Sequence, residues 1–169
     1  IVRAGGPTNL VTAVEEPTIV TAQALMKSQH VALLVVTGGP GVVHEAMLSG
    51  KKVIAAGPGN PPAVVDETAD IPLAARNIVA GASLDNNIIC TAEKEVVVVA
   101  SVADELKRHM AANNCVEVTG GDIERLCGVI FESRQGRKGV INKKWIGKNA
   151  NLILREIGID APASTRLVI

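Results

Sequence analysis

Three stretches of the chain hold residue types capable of chemistry. The first, Thr37-Gly38-Gly39-Pro40-Gly41, joins a β-branched run to a segment with helical spacing. Glycines there let a ligand approach the backbone closely, and the N-terminal N–H groups of a following helix suit an anionic or polar group. The pattern departs from G-x-G-x-x-G: Gly39 and Gly41 would need a third glycine where His44 stands, and no acidic residue follows about 20 positions on. From spacing alone, a cofactor turn and a plain tight turn both stay open. The second stretch is Ala56-Gly57-Pro58-Gly59-Asn60-Pro61-Pro62, and the third is Asp85-Asn86-Asn87-Ile88-Ile89-Cys90-Thr91-Ala92-Glu93-Lys94. Cys90 falls in a polar-flanked connection between a helix and a strand, where a thiol can meet substrate. A lone cysteine is also a common small core hydrophobe, so nucleophile and packing residue are both admissible readings.

The remaining composition removes several function classes. Seventeen Lys and Arg balance seventeen Asp and Glu, and the chain has one Phe, one Trp and no Tyr. Neither a positive field for a phosphodiester backbone nor a set of rings for base stacking is available, so no nucleic-acid partner is expected. The apolar runs at 31–36 and 96–100 are far shorter than the roughly 20 residues that cross a bilayer, and they read as buried strands, with no membrane role. Cys90, Cys115 and Cys127 are an odd number without CxxC spacing, which points to a reducing cytoplasm and to neither a disulfide framework nor a zinc site. Cys115 and Cys127 read as packing residues. His30, His44 and His109 lack ligand spacing, and no metal is expected. The opening Ile1-Val2-Arg3-Ala4-Gly5-Gly6 resembles the middle of a longer chain, so a fragment is the expectation.

The elements that must position these stretches follow an α/β pattern, with short β-branched runs alternating with amphipathic segments. Strands are expected at 10–14, 31–37, 52–56, 63–65 and 96–100. A helix with Pro17 in its first turn runs to Ser28, presenting Ile19, Ala22, Leu25 and Met26 on one face. Others are expected at 42–49, closed by a left-handed Gly50; at 71–82, capped by Asp70 with Pro72 in its first turn; and at 102–112, capped by Ser101. The acidic cluster Asp66, Glu67 and Asp70 reads as a helix start, where carboxylates meet the positive end of the dipole. Helical spacing recurs at 123–130 and 149–157. Between these lies an exposed, Gly-punctuated basic stretch: Arg134, Arg137, Lys138, Lys143, Lys144 and Lys148. It reads as solvated surface or, alternatively, as a contact for phosphate groups. The best internal boundary is the glycine-proline stretch at 56–62.

Taken together, Val36 to Gly41, Ser49 to Pro62, Val65 to Asp70, and Asp85-Asn86-Asn87 with Cys90-Thr91-Ala92-Glu93-Lys94-Glu95 closely resemble the CoA-acylating branch of the aldehyde dehydrogenase superfamily, in that family's order and spacing. The microcompartment enzymes of ethanolamine and propanediol utilisation are the nearest look-alikes. Asn142 to Lys148 and Pro162 to Ile169 resemble the same catalytic domain. The resemblance implies a partial three-layer fold, a sheet covered by helices. Residues 1–56 would be the C-terminal part of an NAD-binding domain and 57–169 a truncated catalytic domain. It makes Cys90 the thiol that attacks an aldehyde, with hydride passing to NAD and a thioester left on sulfur. Thr37, Gly38, Gly39, Pro40 and Gly41 would border the nicotinamide and pyrophosphate, Pro17 would fall at the adenosine end, and Gly57, in the turn that follows the catalytic base of hydrolytic relatives, would also contact the cofactor. The Cys90 N–H would steady the oxyanion, together with an asparagine outside this chain. A homo-oligomer, possible shell association and a location in the cytoplasm or inside a microcompartment are also implied for the full-length parent, while the fragment is expected to be inactive alone.

One difference selects the acceptor. Hydrolytic members of the superfamily hold a general-base glutamate at the position of Ala56, 34 residues ahead of the cysteine. Ionising a thiol of ordinary pKa at pH 7 costs roughly 2 kcal/mol, whereas ionising water costs roughly 12. Loss of the carboxylate therefore favours thiolysis by coenzyme A over hydrolysis. Two other readings compete: a non-catalytic domain or assembly module, and a cysteine hydrolase, which would need a histidine beside Cys90.

Overall fold

A computed structural model describes residues 1–135 and 138–169. Its elements run α1 (Ile19–Lys27), β1 (Leu33–Thr37), α2 (Pro40–Met47), β2 (Lys52–Ala56), β3 (Pro62–Val65), α3 (Ile71–Ala82), β4 (Glu95–Val98), α4 (Ala100–Ala112), β5 (Cys115–Val116), α5 (Gly121–Ile130), β6 (Phe131–Gln135), β7 (Lys138–Ile141), α6 (Ala150–Glu156) and β8 (Leu167–Val168). The chain divides into two units, Ile1–Pro58 and Gly59–Ile169. This is an α/β architecture.

In the first unit β1 and β2 pair in parallel, Leu33 opposite Lys52 through Thr37 opposite Ala56. Strand alternation sends Leu34, Val36 and Val53 to one face, where Met26 of α1 and Ala46 of α2 cover them. Val35 and Ile54, on the other face, are exposed. Helix α1 starts on a reciprocal cap: the Thr21 N–H donates to Thr18 Oγ1 at 3.1 Å and the Thr18 N–H donates to Thr21 Oγ1 at 2.8 Å. Pro17 therefore precedes the cap and is not in the first turn. Gly50 adopts φ 73° after α2, as expected. The strand expected at 10–14 does not form: the segment is bends and coil, and Leu10, Val11 and Val14 are exposed. Its β-branched residues favour a pleated, half-buried surface, and no described strand offers them a ladder.

In the second unit β3 pairs in parallel with β4, Pro62 opposite Glu95 through Val65 opposite Val98. Ala63, Val65, Val96 and Val98 point to a core with Ile71, Ala75, Ile78 and Val79 of α3 and Leu106 and Met110 of α4. Asp70 caps α3 by accepting from the Leu73 N–H at 3.0 Å, with Pro72 in the first turn. Helix α4 begins at Ala100 without a side-chain cap, so Ser101 lies inside it. The helix starts two residues ahead of the expectation, directly after Val99, whose N–H donates to the Val65 carbonyl at 3.1 Å. Asp66 turns onto the Thr68 hydroxyl and N–H, which hold its carboxyl below the usual range.

Two further pairs arise where no strand is expected from periodicity. Strands β5 and β8 are parallel, and β6 and β7 form an antiparallel ribbon with a register shift between Phe131 and Ser133. Two-residue strands are too short to show alternation. Of the basic stretch, Arg137 lies outside the described residues, as does the side chain of Lys138; Arg134 pairs with Glu124 at 3.1 Å and Lys144 lies 4.6 Å from the Trp145 ring centre.

Leu106 is 2 % exposed at the centre of the second unit, whereas Leu152 is 39 % exposed. Leu106→Ala is expected to lower the unfolding free energy by about 2–5 kcal/mol and Leu152→Ala by under about 1, measured by urea titration followed by circular dichroism.

Candidate active site

The residues around Cys90 are placed by the parallel register of β3 and β4. Because Pro62 lies opposite Glu95, the residues just before β3 run beside those just before β4. The Lys94 N–H donates to the Pro61 carbonyl at 2.9 Å, and Asn60 Nδ2 donates to Glu95 Oε1 at 2.6 Å. At Gly59 the approach is closest: a Cβ there would overlap the Cys90 carbonyl oxygen and crowd the Cys90 Cβ. Gly59 thus allows the glycine-proline turn to lie against the cysteine loop.

The loop itself is unusual. After α3 a short 3-10 turn covers Leu84–Asn87, and Asp85, Asn86 and Asn87 adopt φ values of 50°, 49° and 63°. Three successive non-glycine residues in the left-handed region need Asp or Asn, whose short side chains bond locally, and they need external support. Asn86 Nδ2 donates to the Gly147 carbonyl at 3.0 Å and to Asn149 Oδ1 at 2.9 Å. Asn87 Nδ2 donates to the carbonyls of Ala82 at 2.6 Å and Glu93 at 3.0 Å. Lys94 Nζ donates to the Asn87 carbonyl at 2.7 Å, to Asn87 Oδ1 at 2.5 Å and to the Ile89 carbonyl at 2.9 Å.

This loop leaves Cys90 exposed, whereas Cys115 is buried and Cys127 half-buried, all three as free thiols. Burial pushes the Cys115 thiol up from an ordinary 9 to about 11, with Arg166 opposing the shift. His109, the histidine of this unit, faces Glu105 one turn earlier on α4 at 3.9 Å. Behind the loop, Asn86, Ile88, Ile130, Ile141 and Trp145 line an apolar cavity of about 250 Å³.

In the first unit the turn after β1 lies at the carboxyl ends of parallel strands, where open α/β sheets bind ligands. The Gly38 N–H donates to the Ala56 carbonyl at 3.2 Å, so Thr37-Gly38 and Ala56-Gly57 come together. Gly39 is the extended N-cap of α2 and Pro40 is in its first turn. The first helical bond runs from the Val43 N–H to the Gly39 carbonyl, leaving the Gly41 and Val42 N–H groups directed outward from the helix start. A Cβ at Gly38 would collide with Val42 Cγ1, whereas Gly39, Gly41 and Gly57 face open space. Between α1 and α2 runs a groove of about 410 Å³ lined by Ile19, Ala22, Met26, Gly41, Val42 and Glu45. Pro17 is exposed just ahead of it, and Ile19 is the residue of that segment that lines it.

The sequence alone gives Asn86, Asn87, Lys94 and Gly59 no individual role. The consecutive asparagines were the available sign, since Asn-Asn between a helix and a strand favours left-handed backbone; that a lysine four residues after the cysteine closes the loop is visible only in three dimensions.

The chemically capable features are thus a glycine turn at the carboxyl end of a parallel strand pair in the first unit and an exposed loop thiol in the second. The chain matches the aldehyde dehydrogenase family over residues 1–126 and belongs to that family. It is 50% identical to an acetaldehyde dehydrogenase (acetylating), EutE, of Salmonella typhimurium, over 99% of this chain and 36% of that protein. The structure of a propionaldehyde dehydrogenase from the Clostridium phytofermentans fucose utilisation bacterial microcompartment superposes with a TM-score of 0.88 at 42% identity, covering 99% of this chain and 38% of that one. A Rhodopseudomonas palustris propionaldehyde dehydrogenase with bound CoA and an acylated cysteine gives 0.88 at 40% identity, covering 99% and 37%. The chain thus spans a little over a third of the length of these relatives.

Iodoacetamide at pH 8 is expected to label Cys90 well before Cys115, as read by peptide mass spectrometry. With its pKa near 11, Cys115 labelling should climb about tenfold per pH unit from 8 to 10. Equal labelling of both at pH 8 would contradict the exposed and buried placements.

Proposed function

We propose that this chain carries the catalytic thiol and part of the dinucleotide site of an enzyme that oxidises a short aldehyde to its acyl-CoA thioester with NAD. The observation that carries this reading is the exposed Cys90 on a loop clamped against Gly59, in a chain whose Ala56 stands where hydrolytic family members hold a base. Relatives at 40–50% identity named as acetylating or propionaldehyde dehydrogenases support it.

The chemistry assigned to the chain's own atoms is simple. The Cys90 thiolate adds to the aldehyde carbon while the carbonyl π pair moves to oxygen, and the Cys90 N–H donates to that oxyanion. NAD, when bound, supplies the acceptor for the hydride that leaves the same carbon. Collapse of the oxyanion leaves a thioester on Cys90 Sγ. The thiolate of coenzyme A then adds to the acyl carbon, and the Cys90 thiolate departs. Ala56 offers no carboxylate to activate water, so a thiol, which ionises far more readily, is the acceptor.

The residues present suit a dinucleotide. The free N–H groups of Gly41 and Val42 at the start of α2 match a pyrophosphate, the backbone of Thr37, Gly38, Gly39 and Pro40 leaves the approach open, and the groove between α1 and α2 has room for an adenine ring. In this reading Pro17 and Gly57 border the adenosine and nicotinamide ends. Residues 1–56 belong to the NAD-binding domain and 57–169 to the catalytic domain, consistent with the division of the chain at Pro58. Microcompartment origin of a 42% identical structure supports a place in such a compartment or in the cytoplasm for the full-length parent, for which a homo-oligomer and contact with the shell are the expectation. Among the described residues no helix is long and apolar enough to cross a membrane.

The test uses the full-length protein, assayed for NADH formation from acetaldehyde and propionaldehyde. Wild type is expected to need coenzyme A, and Cys90→Ala to lose at least about 10³-fold in kcat. Turnover to the free acid without coenzyme A would contradict the acceptor, retained activity in Cys90→Ala would contradict the nucleophile, and no activity in wild type would leave a non-catalytic module.

A further inference from the structure

The ammonium of Lys94 spends all three of its donors on oxygens of the cysteine loop, and one of them is the carbonyl of Ile89. The Ile89 carbonyl and the Cys90 N–H belong to one peptide group. That carbonyl also accepts the Ala92 N–H at 3.1 Å, so both of its lone-pair directions are occupied, one by a full positive charge. Among the described residues no carboxylate pairs with Lys94, and the neighbouring Glu93 carboxylate packs instead against Gly81. The charge is therefore uncompensated locally and half-shielded from water. A cation on a peptide oxygen draws electron density from the amide, which makes its N–H a stronger donor, as in any polarised hydrogen-bond chain. No described group accepts from the Cys90 N–H.

We propose that Lys94 is a positioning residue that polarises the Ile89–Cys90 peptide, so that the Cys90 N–H is a strengthened and correctly aimed donor to the oxyanion formed on the aldehyde. The inference rests on the reading of Cys90 as nucleophile and adds the element that prepares its oxyanion site. Lys94 touches neither substrate nor cofactor; it acts through the Ile89 carbonyl and through the left-handed turn it shares with Asn87.

Two reactions of the same thiol separate this role from simple scaffolding. Acyl transfer to Cys90 from 4-nitrophenyl acetate passes through an oxyanion, whereas alkylation by iodoacetamide displaces iodide and forms none. In the full-length enzyme, Lys94→Met is expected to lower kcat and the nitrophenyl acetate acylation rate about tenfold, less than the 10²–10³ typical of deleting an oxyanion donor. KM for coenzyme A and the rate of Cys90 alkylation should stay within about twofold. Lys94→Arg, which keeps the charge, should recover most of the loss. Lys94→Gln keeps an N–H donor without the charge and serves the same comparison if the methionine variant does not fold, as judged by its melting curve. Acylation unchanged in a folded neutral variant, or acylation and alkylation falling together, would overturn the proposal. Cys90→Ala distinguishes the two levels: if it stays active the nucleophile reading fails, and if it is dead while the Lys94 variants match wild type, only the role of Lys94 fails.

Discussion

A left-handed run of three residues cannot support itself in an L-polypeptide, because each Cβ crowds the following carbonyl at a cost of roughly 1–2 kcal/mol for an ordinary side chain. Asp85, Asn86 and Asn87 adopt that run between α3 and Cys90, and the geometry of the thiol depends on what offsets its cost. Lys94 closes the loop from the far side of the cysteine, and Asn86 ties it to the segment at Gly147 and Asn149. The charge-assisted bonds of Lys94 contribute about 1.5–3 kcal/mol each and the neutral ones of Asn86 about 0.5–1.5, together enough to hold the turn. The polar residues that flank the cysteine are therefore the fastening of the loop.

The same economy of parts appears in the parallel strand pairs. Register in β1 and β2 brings Gly38 beside Ala56, and register in β3 and β4 brings Gly59 beside Cys90. A parallel ladder sets equivalent ends of two strands side by side, so connections far apart in the chain meet there. One face of each pair is covered by helices, while Val35, Ile54, Val64 and Val97 stand exposed on the other. Parallel sheets are ordinarily covered on both faces, whereas each of these pairs is covered on one face among the described residues.

Much of the fold was legible in the sequence because its signals are local. Apolar spacing, Asp70 and Pro72 at the start of α3, and the β-branched runs of β1, β2 and β4 act over a few residues and appear in the structure. The segment 10–14 carried the same local signal and stayed coil, since a strand needs a partner that composition does not supply. The ribbon of β6 and β7 and the short pair β5 and β8 went unseen for the converse reason: their pairing is non-local and their runs are brief or irregular.

By itself the sequence determined the chemical inventory: a thiol between polar residues, glycine turns at strand ends, alanine where a base would stand, and a charge balance unsuited to nucleic acid. Tertiary structure decided which of three cysteines is exposed, which glycine must yield to the Cys90 carbonyl, and that Lys94 reaches back to the peptide before the thiol. The division has a physical cause. Residue type and spacing specify what a group can do and the local backbone it prefers, whereas burial, close approach and polarisation depend on neighbours that only the packed chain brings within bonding distance.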